Sequence, residues 1–219
     1  MPDAPSATLT LALTVIEAGA TVAFALSGLL AAARKRLDAV GVCVVAGLAA
    51  FGGGTLRDVR LDRRPFFWVE HASWLWALLA LCVAAMAFMR GRHFALTERA
   101  MQWPDAVGLG LFTAGGTQVA LQAGMPAIVA VLMGLVTAVF GGVLRDIVCN
   151  EIPSAFSDHR PYAVCSFCGG WALVGMQALQ APPWLGLLAG AAVAAGLRAL
   201  ALASGYTLPE WATGDSSGD

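Results

Sequence analysis

The placement of charge constrains this chain more than any other feature. It carries thirteen basic and fourteen acidic residues, and none of them falls within 18–33, 39–56, 72–89, 106–144 or 161–197. A bilayer span needs roughly 20 mostly apolar residues, so the first three stretches read as one helix each. The last two are long enough for two helices each. Both carry a breaker near the middle, Gly124-Met125-Pro126 and Pro182-Pro183. The composition is 58% hydrophobic and 12% charged, with a mean hydropathy of +0.73. Soluble domains carry about 25% charged residues, and 219 residues folded in water could not hide this much apolar surface. The expectation is an all-α polytopic membrane protein. Its seven transmembrane helices are expected at roughly 8–33, 39–60, 72–90, 105–123, 126–148, 161–180 and 184–204.

The chain also matches itself at an offset of 88 positions. Gly53-Gly54-Thr55-Leu56-Arg57-Asp58 aligns with Gly141-Gly142-Val143-Leu144-Arg145-Asp146, and Pro65 with Pro153. The same offset pairs Phe24 with Phe112, Gly28 with Gly116, His71 with His159, and Glu17 with Asp105. The expected organisation is a three-helix unit over 8–92, a second over 96–180, a seventh helix over 184–204 and a polar tail over 205–219. Three spans per unit is an odd number, so the two copies insert in opposite senses. Inverted repeats of this kind place a transport path at the repeat interface.

Basic residues orient the whole. Arg34, Lys35, Arg36, Arg90, Arg92, Arg99, Arg145, Arg160 and Arg198 fall on one face. Arg57, Arg60, Arg63 and Arg64 fall on the other. The nine-residue face is expected to be cytoplasmic, with the N-terminus outside and the C-terminus inside an inner membrane. No Lys or Arg precedes Arg34, so the first span lacks a signal-peptide n-region and reads as retained. No basic run points to nucleic acid.

Gly52-Gly53-Gly54 and Gly141-Gly142 lie late in the second helix of each unit. Glycine weakens a helix by about 1 kcal/mol relative to alanine, so one reading is a broken helix whose backbone lines a path. The other is close helix packing through small residues. Arg57, Asp58, Arg145 and Asp146 follow the glycines. Sequence neighbours on a helix point in different directions, so neither Arg-Asp pair is expected to bridge internally. A straight helix climbs roughly 28 Å from Ala39 to Arg57, which puts one pair near each face, as mouth charges or interfacial anchors. Glu17 is an acid inside the first span, a default candidate for function. Asp105 is expected at a helix start, where an acid suits the dipole. Arg198 is expected to snorkel to the cytoplasmic face. Trp68, Trp74, Trp76, Trp103 and Trp184 sit near span ends, as interfacial belts do. The cysteines Cys43, Cys82, Cys149, Cys165 and Cys168 read as apolar fillers. Cys165-Ser166-Phe167-Cys168 has redox-motif spacing but lies on an apolar helix without a βαβ context. No residue set has the spacing of a metal site, a cofactor site or a catalytic triad.

Phe51-Gly52-Gly53-Gly54-Thr55-Leu56-Arg57-Asp58 and Phe140-Gly141-Gly142-Val143-Leu144-Arg145-Asp146, each followed by Pro, resemble the doubled motif of the prokaryotic trimeric intracellular cation (TRIC) channel family. Its bacterial members are also described as uncharacterised membrane proteins or glycine transporters. The resemblance spans about residues 10–200. It departs at Phe140, where a third glycine is usual. It implies a homotrimer embedded in membrane lipid, with a potassium-permeable pore in each protomer between kinked second and fifth helices. A secondary transporter of a small solute such as glycine is the alternative. Small residues on the first and fourth spans (Ala18, Gly19, Ala20, Gly108, Gly110) suggest these helices as the subunit interface.

Overall fold

The computed structural model describes residues 7–89, 98–157 and 159–209, and every regular element among them is helical. In chain order these are α1 (Ala7–Arg34), α2 (Ala39–Arg60), α3 (Phe67–Glu70), α4 (Ser73–Met89), α5 (Glu98–Gln122), α6 (Ala127–Val148), α7 (Ser154–Ser157), α8 (Ala163–Ala178) and α9 (Pro183–Ser204). The fold is all-α, and its longer helices lie on the expected stretches. By length and hydropathy α1, α2, α6 and α9 can each cross a membrane, and α4 and α8 are shorter apolar helices. Large apolar side chains such as Leu11, Val40, Trp76 and Phe88 point outward, as a lipid solvent allows. Arg90 and Arg92, the unit boundaries at 92 and 96, and the tail beyond 209 lie outside the described residues.

The helix ends obey local rules, and they repeat. Asp38 caps α2 by accepting from the Gly41 amide at 2.7 Å. Pro183 opens α9 at its first turn, and Gly205 closes it with φ 68°. Left-handed residues stop α1, α2, α5 and α6: Arg36 (φ 54°), Asp62 (φ 50°), Gly124 (φ 77°) and Asn150 (φ 55°). Each is followed by an amide that reaches back to close the last turn. Leu37 donates to the Ala32 carbonyl at 3.1 Å and Met125 to Ala120 at 3.1 Å. Arg63 donates to Asp58 at 2.8 Å and Glu151 to Asp146 at 2.9 Å. Every one of these pairs is 88 positions from its mate.

One boundary differs from expectation. α5 begins at Glu98, with Pro104 inside it, rather than near 105. An interior proline loses its amide donor and crowds the carbonyl four residues earlier, yet α5 continues through Pro104 at its seventh position. Asp105 therefore lies two turns inside α5 and is buried, away from any helix N-terminus.

α5 occupies the centre, packed against α1, α6, α8 and α9. Along the α1–α5 contact Ile16 meets Gly115, Phe24 meets Gly108 and stacks on Phe112 at 5.5 Å, and Ser27 lies 3.4 Å from Asp105. Numbers rise on one helix as they fall on the other, so the two are antiparallel. This contact also uses the small residues expected at a subunit interface. Gly108 lies under the Phe24 ring, Gly110 faces Ala195 of α9, and Ala20 is fully buried. Those three positions serve contacts within the protomer.

α2 crosses α6 at the glycines. Both helices run without interruption through Gly52, Gly53, Gly54, Gly141 and Gly142, so the expected helix breaks and freed carbonyls do not occur. A Cβ on Gly53 would overlap the Thr137 carbonyl oxygen, and one on Gly141 the Ala49 carbonyl oxygen. Gly52 accommodates Leu144 and Gly54 the Phe67 ring, while Gly142 leaves space 3.3 Å from the Tyr162 hydroxyl. The absent side chains let two intact backbones touch.

Substitution tests this crossing. Gly53→Ala and Gly141→Ala should each lower thermal stability in detergent, by about 1–3 kcal/mol as overpacking does. Gly175→Ala, which meets nothing within 4 Å, should instead gain up to about 1 kcal/mol of helix propensity. Wild-type melting in the first two would mean that the crossing is not tight.

Candidate functional site

Two arginines lie in the protein interior, each among carboxylates. Arg57 has no solvent exposure. Its Nη1 is 2.7 Å from Glu17 Oε1, and its Nε and Nη2 both lie 2.8 Å from Asp58 Oδ1. The other Asp58 oxygen accepts from the Phe67 amide at 2.8 Å, at the start of α3. The Arg57 guanidinium lies over the Phe67 ring, 5.4 Å from its centroid. Arg63 stands further out, 3.8 Å from Glu17 and 3.7 Å from Glu70.

The second cluster repeats this plan. Arg145 Nη1 is 2.5 Å from Asp105 Oδ1 and also donates to Ser27 Oγ of α1. Its Nε donates to Asp146 Oδ1 at 2.7 Å. Asp146 Oδ2 accepts from the Ser154 amide at 2.8 Å, at the start of α7. Here the aromatic neighbour is Tyr162, whose hydroxyl donates to Asp105 Oδ2 at 2.7 Å. The Arg198 guanidinium covers the Tyr162 ring at 4.8 Å and donates to the Pro161 carbonyl at 3.1 Å.

Desolvating a charge costs several kcal/mol, which is recovered only by close opposite charge and satisfied hydrogen bonds. Both clusters supply the opposite charge. The Arg145 cluster adds hydrogen bonds, whereas among the described residues Glu17 Oε1 and the two Arg57 Nη atoms are held by ion pairing alone. Four expectations change accordingly. Arg57 and Asp58 do bridge, as do Arg145 and Asp146, because the long Arg side chain bends back over its own helix. Glu17 is not isolated; it is the Arg57 counter-ion. Asp105 plays the same part for Arg145. Arg198 is 1% exposed and does not reach a membrane face, because Tyr162 and Pro161 hold it inside.

The depth of the charges changes as well. α1 contributes Glu17 to one cluster and Ser27 to the other. Ten residues of helix separate them, about 15 Å at 1.5 Å per residue. The clusters thus lie closer together than two membrane faces. Side chains on a helix slant toward its N-terminus, which brings each guanidinium back from where its Cα alone would put it. Ser27, Tyr162 and Phe67 escaped the sequence reading. The repeat could not reveal Ser27, since its mate is Gly115.

Each cluster meets a cavity. One of about 500 Å³ is lined by Thr10, Thr14, Glu17, Arg63, Glu70 and His71, among others. Another of about 280 Å³ is lined by Arg34, Met101, Asp146, Glu151, Ser154 and Ser157, with Ile152. Between the two clusters the interior is filled by the Phe24–Phe112 stack and the α2–α6 glycine crossing.

A family model described as "Glycine transporter" matches residues 14–91 and 102–178. A UPF0126 membrane protein of Vibrio cholerae is 36% identical over 168 residues, covering 77% of this chain and 70% of that protein. The UPF0126 inner membrane protein YadS of Escherichia coli is 36% identical over 154 residues, covering 68% of this chain and 72% of its own. Among solved structures, the trimeric intracellular cation channel orthologue from Rhodobacter sphaeroides is 36% identical with a TM-score of 0.81, over 89% of this chain and 98% of that one. A structure reported for conductance through TRIC cation channels is 29% identical with a TM-score of 0.80, over 90% and 96% of the two chains.

The clusters make a stability prediction. Glu17→Gln or Asp105→Asn leaves a buried guanidinium with one fewer counter-charge. Removing one partner of a buried pair costs about 3–5 kcal/mol. Both variants should therefore melt well below wild type in detergent; unchanged melting would show that these acids do not hold the arginines.

Proposed function

The chain belongs to the family of trimeric intracellular cation channels, and on that premise we propose that it conducts monovalent cations, chiefly potassium. The observation that carries the proposal is charge balance. Arg57 and Arg145 each have two carboxylates against them: Glu17 and Asp58 for Arg57, Asp105 and Asp146 for Arg145. Counted at formal charge, Arg57 with its two carboxylates sums to −1, as does Arg145 with its two. Arg63 and Glu70 add equal and opposite charge beside the first cluster, and Arg198, over the Tyr162 ring, brings the second to zero. Low-dielectric walls strengthen such a field. An arginine in a pore repels cations, but Arg57 is more than neutralised where it stands and the second cluster is balanced.

We place the path inside each protomer, along the seam of α1, α2, α5 and α6. It would enter by the Glu17-lined cavity and leave by the Asp146-lined one. Gly52, Gly53, Gly54, Gly141 and Gly142 sit where this seam is narrowest. Their backbone contact corresponds to a closed path, which opens as α2 and α6 part. Arg57, Asp58, Arg145 and Asp146 flank that constriction on either side. The protein is multi-pass, and the proposal includes seven spans, two inverted three-helix units, an inner-membrane location, an external N-terminus and a cytoplasmic C-terminus. The name of the Rhodobacter sphaeroides relative supports a homotrimer in lipid. The description of the matching family model supports glycine transport as the alternative.

Recording from purified protein in planar bilayers separates the two. Discrete unitary openings in symmetric potassium chloride, with no saturable glycine uptake in proteoliposomes, are expected. Saturable glycine flux without unitary openings would overturn the channel reading.

A further inference from the structure

We propose that Glu151, bridged to Arg34 and Lys35, is a charge latch that holds closed the mouth of the path at the Arg145 cluster, and that the opposite mouth has no equivalent tie from helix corner to helix end. The inference rests on the channel reading above.

One carboxylate oxygen, Glu151 Oε1, lies 2.5 Å from Arg34 Nη2 and 2.8 Å from Lys35 Nζ. The two cations end α1, and Glu151 follows the left-handed Asn150 that closes α6. The bridge therefore ties the end of one helix to the corner of another. Arg34 and Glu151 are also walls of the same cavity, whose inner wall includes Asp146, so the tie spans the entrance to the buried cluster. Burial acts to raise the Glu151 carboxyl, but hydrogen bonds from Lys35 and Arg34 bring it below its ordinary value. It is therefore ionised at neutral pH.

The repeat supplies a built-in comparison. The position equivalent to Glu151 is Arg63, and those equivalent to Arg34 and Lys35 are Gln122 and Ala123. All three sites have changed charge class together. At that mouth Arg63 turns toward Glu17 and Glu70, and the end of α5 offers it no counter-charge. The left-handed stops and the buried Arg57 and Arg145 recur in both halves, yet this bridge occurs in one alone among the described residues. Arg34, Lys35 and Glu151 remain about 30% exposed. Ion pairs of such exposure are individually weak, so thermal motion can release them, as a gate requires.

Two measurements test the latch on the full-length chain. In planar bilayers Glu151→Gln should raise open probability several-fold, and the charge exchange Arg34→Glu with Lys35→Glu and Glu151→Arg should return it to the wild-type level. Unchanged open probability in Glu151→Gln, or an increase the exchange fails to reverse, would overturn the latch. The second measurement needs no current. A cysteine at buried Met101, inside this cavity, should react several-fold faster with a membrane-impermeant maleimide when Glu151→Gln is also present. The parent chain supplies the background from its own cysteines. Equal labelling rates would overturn the latch whatever the currents show. Absence of unitary openings in wild type would instead overturn the channel reading.

Discussion

Two guanidinium groups inside a membrane-embedded helix bundle set the terms for the rest of this protein. A buried, unaccompanied arginine would be prohibitive, and an arginine with a single carboxylate only roughly breaks even. Here each has two, and backbone amides at the starts of α3 and α7 hold the second carboxylate of each cluster in place. The short connecting helices are thus part of the electrostatics. The first carboxylate comes from α1 in one case and α5 in the other. That ties the first helix of each unit to the second and fixes how the four central helices register.

The glycines and the charges act together. Gly53 and Gly141 bring α2 and α6 into backbone contact, while Gly54 and Gly142 make room for the aromatic residue beside each cluster. A side chain at any of these four positions would displace Phe67, Tyr162 or a neighbouring backbone. The doubled glycine motif is therefore a packing device that leaves the charged groups accessible from a cavity on each side. Under the channel reading, the same contact is what must loosen for ions to pass.

Much of this was legible in the residues alone. Charge is costly in hydrocarbon, so the charge gaps place the apolar helices to within a residue or two, the start of α5 excepted. The 88-position offset picks out Arg57, Asp58, Arg145, Asp146, Glu17 and Asp105, and these residues do meet in space. What pattern could not supply was reach. Periodicity describes where Cα–Cβ vectors point, whereas a guanidinium extends far enough to bend back onto its neighbour's carboxylate. Arg198 looked peripheral for the same reason; its partner Tyr162 lies 36 positions earlier on another helix. The start of α5 was obscured because Glu98, Pro104 and Asp105 together resemble an interhelical loop. The glycines were ambiguous because a tight crossing and a broken helix draw on the same residue.

Cation selection is the property most directly tied to these clusters, and a reversal potential measures it. With wild-type protein in a planar bilayer and a tenfold potassium chloride gradient, the excess carboxylate of the Arg57 cluster predicts a reversal potential close to the potassium equilibrium value. A reversal potential at zero, or displaced toward the chloride value, would contradict it.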